Sequence, residues 1–297
     1  MPIPHLLLAL MVVVIWGCNF IFIKFGLVEF PPLLLCALRF FLSCFPAIFW
    51  IKRPAIPFKY VITYGMLMFA IQFTLLFLGI YAGMTAGLAS LLIQVQVFFS
   101  LIFATFFFGE RPAIWQVLGA IVSFSGIALV MLHTDKNISL TGVMLILAAS
   151  ASWGMGNLIT KKINQINKIN MLSLVVWGSF VACIPLTLLS FLFEGGSAIL
   201  HRVQHVSYLG IISVLYIVYA STWIGYGIWN WLLSRYPVTT VTPFTLMVPV
   251  VGMMSSILVF HEPFQTWKLV AGLLVIFGLC VNLFGIGIGV QKSLKSV

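Results

Sequence analysis

Carboxylates are scarce in this chain, and none falls where an ion pair inside a membrane would need one. The 297 residues include five acids against fifteen lysines and arginines, and only 7% are charged. A soluble domain of this length is excluded, because its surface would carry charge on about a quarter of its residues. Glu29, Glu110, Asp135, Glu194 and Glu262 all fall at the ends of apolar runs or between them, as do His5, His133, His201, His205 and His261. A carrier of cations keeps a buried carboxylate to offset the charge of its solute. None is present, so the expected solute is neutral, zwitterionic or anionic. Intramembrane hydrolysis would need clustered ligands or paired acids at mid-span, and these too are missing. The chain therefore reads as a non-enzyme with no catalytic residue, metal or cofactor. It lacks G-x-x-x-x-G-K-[ST], which removes an ATP-driven engine. Five cysteines (Cys18, Cys36, Cys44, Cys183, Cys280) lie in apolar runs with no C-x-x-C pair and read as small buried hydrophobes. The first apolar run has no basic leader and no small-residue cleavage site, so it is expected to stay as a span.

Apolar residues are abundant, at 62%, and come in long runs. A helix needs about 20 of them to cross the hydrocarbon. Spans are expected near 5–25, 33–51, 60–79, 86–108, 114–132, 140–160, 171–193, 207–231, 238–260 and 268–288. The fold class expected is an all-α membrane protein with ten transmembrane helices and both termini cytoplasmic. Lys52, Arg53, Lys59, Arg111, Lys161, Lys162, Lys168, Arg235, Lys292 and Lys295 then fall inside, and only Lys136, Arg202 and Lys268 in outer loops. The net charge of +10 is thus read as a topology signal facing the anionic inner leaflet, with the lipid bilayer rather than nucleic acid as partner.

The two halves echo one another. Trp16-Gly17-Cys18-Asn19 leads to Lys24 as Trp153-Gly154-Met155-Gly156-Asn157 leads to Lys161. Cys44-Phe45-Pro46 is matched by Cys183-Ile184-Pro185. Gly109-Glu110 precedes Trp115 as His261-Glu262 precedes Trp267, and Gly126 and Gly278 lie equally far beyond those glutamates. Each unit holds five spans, an odd number, so the second must be inverted. The expected division is 1–134 and 135–290 as two inverted five-helix repeats, followed by a cytoplasmic tail, 291–297. Inverted repeats supply two near-equivalent packings, the basis of alternating access.

Mid-span amides have hydrogen-bonding capacity that lipid cannot satisfy. They sit at Asn19, Gln72, Gln94, Gln96, Asn157 and Asn230. Each amide either joins helices or lines a wet cavity. Ser90 and Gln94, four residues apart, share a helical face from which Gln96 points away. Lys24 is expected to snorkel at a span end. Arg39, about 9 Å into its span at 1.5 Å per residue, either snorkels or pairs a substrate carboxylate. Trp177, Tyr226, Trp229 and Trp231 suit an interfacial belt, and Tyr226 and Trp229 equally suit a cavity wall. The cavity candidates are Asn19, Arg39, Gln72, Ser90, Gln94, Asn157, Trp177, Tyr226 and Trp229. Pro46, Pro185, Pro243 and Pro249 are expected to kink spans.

The W-G-x-N of the first span and the G-E closing the fourth resemble the EamA branch of the drug/metabolite transporter superfamily. The runs Trp16–Leu27, Leu38-Arg39-Phe40, Ala86–Gln96, Phe108–Arg111, Ser173–Trp177, Gly225–Trp229 and Pro249-Val250-Val251-Gly252 carry the resemblance along essentially the whole chain. Within the superfamily, the chain is most similar to bacterial exporters of O-acetylserine and cysteine. The resemblance implies efflux of such amino acids or their derivatives across the bacterial cytoplasmic membrane. The second repeat departs from the pattern by placing His261 where the first has Gly109. A same-fold exporter of aromatic amino acids or other neutral or anionic metabolites is the alternative. A channel or a membrane-embedded enzyme ranks below both.

Overall fold

The computed structural model describes residues 1–109, 112–133, 139–167, 169–236, 241–261 and 265–294. Glu110, Arg111, Asp135, Lys136, Lys168, Glu262 and Lys295 lie outside the described residues, as do the side chains of Asn230 and Lys292.

Among the described residues, every regular element is helical. Eight helices among the described residues are long and apolar enough to cross a membrane. They are α1 (Ile3–Glu29), α2 (Pro32–Phe49), α3 (Phe58–Tyr81), α4 (Ala86–Phe107), α5 (Ile114–Leu132), α6 (Leu140–Ile166), α7 (Met171–Glu194) and α8 (Tyr208–Trp229). Two shorter apolar stretches follow, α9 (Phe244–Phe260) and α10 (Thr266–Asn282). The chargeless connector Tyr81–Thr85 works as a turn. Gly83 adopts φ +102°, where a side chain is strained, and Thr85 accepts the Leu88 amide at 3.3 Å to start α4.

The echoed motifs turn out to be helix crossings. Gly17 of α1 lies against Val251 of α9, where an added Cβ would sit 2.6 Å from the valine Cβ. Gly154 of α6 lies against Phe99 of α4, with the corresponding distance 2.8 Å. Phe99 and Val251 stand equally far before Glu110 and Glu262, so exchanging the two halves turns one crossing into the other. The pair α5 and α10 behaves the same way. Gly119 meets Gly278, and Gly126 meets the backbone of Ala271, again as mutual images. At the centre of that pair the Ser123 hydroxyl donates to the Val275 carbonyl at 3.0 Å, and the two are equivalent positions. Cys44 of α2 and Cys183 of α7, also equivalent, lie close enough to influence one another, while each thiol donates to a carbonyl of its own helix, Phe41 and Phe180, at 3.2 Å. Contacts between equivalent residues occur on a two-fold axis, and contacts exchanged in pairs occur around one. Small residues at these crossings allow the backbones to approach, the usual basis of helix association where lipid is the solvent.

The prolines act differently from one another. Pro185 lies inside the continuous helix α7. Pro46 instead terminates the regular part of α2, which ends at Cys44 and resumes as a 3-10 turn over Ala47–Phe49. Pro249 occupies the first turn of the α-helix Val248–Phe260, where its missing N–H costs nothing. Pro243 lies in the first turn of the 3-10 segment Thr242–Met247 that precedes it. The αL positions also agree between repeats. Gly109 caps the end of the fourth helix at φ 65°, and His261 caps the ninth at φ 51°. The departure from the Gly pattern therefore keeps the geometry, with a non-glycine residue in the left-handed region.

Both α3 and α8 contain a π-helical stretch, Gly65–Ile71 and Tyr216–Gly225 respectively. Wider turns of this kind recur at functional sites. Here they stand in corresponding helices of the two halves.

Candidate functional site

Arg39 is a buried cation in the middle of the bundle's polar groups. It is 2% exposed, so it does not snorkel to the surface. Its guanidinium centre stands 4.0 Å from the centroid of the Phe73 ring. One terminal nitrogen, Nη2, donates to Thr222 Oγ1 at 3.2 Å. Thr222 is presented by the π-helical turn of α8 and bonds back to the Ile217 carbonyl, five residues earlier, at 2.9 Å. The other two donors, Nε and Nη1, are buried and have no hydrogen-bond partner. Among the described residues no carboxylate pairs with it. Tyr226, on the same helix as Thr222, lies within electrostatic reach of Arg39.

An aromatic wall adjoins the arginine. Trp16 of α1 packs on Tyr226 and Trp229 of α8, with ring centroids 5.4 and 5.3 Å apart. Its indole N–H donates to the Ser221 carbonyl at 3.1 Å, which fixes the ring. The sequence expectation that Tyr226 and Trp229 share a face is met through this common contact with Trp16. The wall belongs to a longer seam along the antiparallel helices α1 and α8. Glu29 accepts from the Ser207 hydroxyl at 2.7 Å, Phe22 stacks on Tyr216 at 3.8 Å, and Tyr216 donates to the Ile15 carbonyl at 2.9 Å. His5 and the Tyr236 hydroxyl close the other end.

Asn19 lies three residues beyond Trp16, close to the same face of α1. It is 7% exposed, and its Oδ1 is buried without a partner. Gln72, 3% exposed, directly follows the π-helical stretch of α3 and precedes the Phe73 that covers Arg39. Gln94 is buried within a 3-10 segment, Ile93–Val95. That break in α4 alters the regular i, i+4 relation with Ser90 expected from spacing. Ser90 donates to the Gly87 carbonyl at 2.7 Å and packs against Gly252 of α9.

Two candidates are engaged elsewhere. Asn157 donates to Gln96 Oε1 at 2.6 Å and to the Ser100 hydroxyl at 3.1 Å, stitching α6 to α4. Trp177 donates to the Ile51 carbonyl at 3.0 Å, and nearby Ser173 donates to the Lys52 carbonyl at 2.6 Å. Both tie α7 to the end of α2. Sequence reasoning passed over Trp16 and Thr222 as site residues. The π-helical turns that place Thr222 leave no hydropathy signal, whereas the repeated Trp-Gly pair did mark Trp16. Among the described residues no group of three or more His, Cys, Asp or Glu is arranged to hold a metal ion.

Apolar helices arranged as two exchange-related halves around a buried cation are the build of a polytopic membrane carrier. The chain belongs to the EamA-like transporter family, whose model matches residues 3–132 and 140–284. It is similar to a protein of Escherichia coli (strain K12) named "Probable amino-acid metabolite efflux pump", 39% identical over 283 residues and covering 94% of each chain. A protein of the same name in Salmonella typhimurium is 41% identical over 282 residues, again covering 94% of each. A crystal structure 16% identical to this chain superposes with a TM-score of 0.65 over 94% of this chain and 96% of that one, a likeness of fold alone. The protein is therefore a multi-pass membrane transporter of two EamA repeats.

Proposed function

We propose that this chain is a secondary exporter of small amino acids or their derivatives, O-acetylserine- or cysteine-like, working across the bacterial cytoplasmic membrane by alternating access. The observation that carries the substrate class is the identity of about two residues in five to relatives named as amino-acid metabolite efflux pumps, over 94% of each chain. The mutually exchanged crossings, Gly17 with Val251 and Gly154 with Phe99, support the mechanism, since each half can adopt the packing of the other. The proposed topology has ten spans and cytoplasmic termini, with repeats 1–134 and 135–290 and a tail 291–297. Asn19, Arg39, Gln72, Gln94, Tyr226 and Trp229 form the proposed cavity lining. Ser90, Asn157 and Trp177 hold helices around it.

A second reading, export of aromatic amino acids, is favoured by the Trp16–Tyr226–Trp229 wall beside Arg39. Export of labelled cysteine, O-acetylserine and phenylalanine from cells overproducing the chain separates the readings. Faster loss of the first two than in empty-vector cells supports the leading one, and acceleration of phenylalanine alone selects the second. No acceleration of any of the three, with the protein present in the membrane, sinks the amino-acid assignment.

A further inference from the structure

The inner polar groups of this molecule do not balance one another. Arg39 brings a guanidinium into the bundle and spends one of its donor groups on a neutral hydroxyl, Thr222 Oγ1. Nε and Nη1 are left buried with nothing to bond. A buried cation without an opposite charge is costly by several kcal/mol, and the ring of Phe73 recovers only part of that through its π face. Nε and Nη1 belong to the two different edges of the guanidinium, each of which is completed by Nη2. Thr222 takes one of the two Nη2 hydrogens, so one edge still offers two parallel N–H groups, the pair that matches the two oxygens of a carboxylate.

Repeat symmetry sharpens this. Arg39 stands seven residues before Pro46, and the residue seven before Pro185 is Gly178. Gly178 is packed against the Tyr64 ring, with no room for a side chain. At this pair of equivalent positions the two halves therefore supply one positive charge, displaced from the two-fold axis. A site of this kind has a single anion receptor, so it suits one carboxylate and not two. Asn19 adds a buried acceptor, Oδ1, that also lacks a partner. Unused donors on α2 and an unused acceptor on α1 are complementary to a zwitterion.

We infer that Arg39 is the carboxylate receptor of the transport site, so that the solute class is amino acids and derivatives bearing one free carboxylate. This rests on the exporter reading above. Binding places the solute carboxylate on the free edge, made by Nε or Nη1 together with the second N–H of Nη2, while Thr222 holds the first Nη2 hydrogen and Phe73 covers the guanidinium face. Removal of the carboxylate from the solute, or of the guanidinium from the protein, then costs the same interaction.

The test uses the full chain in proteoliposomes and counterflow of labelled O-acetyl-L-serine and L-phenylalanine. Unlabelled free acids are compared as competitors with the corresponding carboxamides. The wild-type protein is expected to be inhibited at least tenfold less effectively by the carboxamide than by the acid. Arg39→Gln is expected to lower the rate at least tenfold and to erase that preference, and Arg39→Lys to retain part of it. Equal competition by acid and carboxamide on the wild-type protein overturns the inference while leaving export intact, and it needs no variant to fold. A wild-type rate with undiminished preference in Arg39→Gln overturns it as well. Transport of neither solute by the wild-type protein overturns the exporter reading, and this inference with it.

Discussion

Glu194, the last residue of α7, accepts the backbone amides of Leu33 and Leu34 at 2.7 and 2.9 Å, so one carboxylate satisfies two free N–H groups at the start of α2. Ser190 donates to the same carboxylate at 2.7 Å and steadies it. A negative charge also suits the positive end of the α2 dipole. Glu29 does the same for α8 through the Ser207 hydroxyl and amide. Loss of a helix-capping group costs about 0.5–2 kcal/mol, and two amides share this one. Glu194→Ala is therefore expected to destabilise the detergent-solubilised protein by about 2 kcal/mol, read as a lowered Tm, and Glu194→Gln by less. An unchanged Tm in the alanine variant would mean that water replaces the cap at no cost. The sequence shows Glu194 as a connector acid and no more, because the partner amides lie some 160 residues away. The same holds for the amides: Gln96 and Asn157 look like independent candidates until the fold places them 2.6 Å apart. Arg39 was legible as an exception, since a lone cation inside an apolar run stands out in the sequence itself.

Helices are the level at which the sequence was most readable. Apolar runs separated by turn residues are set by hydrocarbon thickness, and the described helices follow them. The repeated Trp-Gly pair marked a crossing before any neighbour was known. The π-helical turns of α3 and α8 left no such trace, because a one-residue widening changes hydrogen bonding without changing hydropathy. Element packing yields a paired test. A Cβ added at Gly119 of α5 would run into the Gly278 carbonyl of α10, whereas at Gly227 of α8 nothing lies within 4 Å. Overpacking a tight contact costs about 1–3 kcal/mol, and alanine in an open helical site gains up to about 1 kcal/mol over glycine. Gly119→Ala is expected to lower the unfolding temperature and Gly227→Ala to leave it level or raise it. Equal effects at the two positions would argue against a close α5–α10 contact.

Across the whole molecule, the exchanged crossings bear on mechanism. If α1 against α9 and α6 against α4 are images under one two-fold operation, loosening the first favours one facing of the cavity and loosening the second favours the other. Alanine at Gly17 drives Cβ to 2.6 Å from Val251, and alanine at Gly154 drives it to 2.8 Å from Phe99, so each variant wedges one crossing only. A bias of ~1.4 kcal/mol between two arrangements changes their ratio about tenfold. The reporter is Trp229→Cys, in a chain stripped of its five native cysteines, labelled by a membrane-impermeant maleimide in intact cells and in inside-out vesicles. Gly17→Ala and Gly154→Ala are expected to move the outside-to-inside labelling ratio in opposite directions by roughly that factor. The double variant, with both wedges in place, is expected to return the ratio towards that of the unwedged chain while transport slows. Shifts in the same direction would contradict a rocking exchange between the halves, since a two-fold operation cannot map two wedges onto the same side.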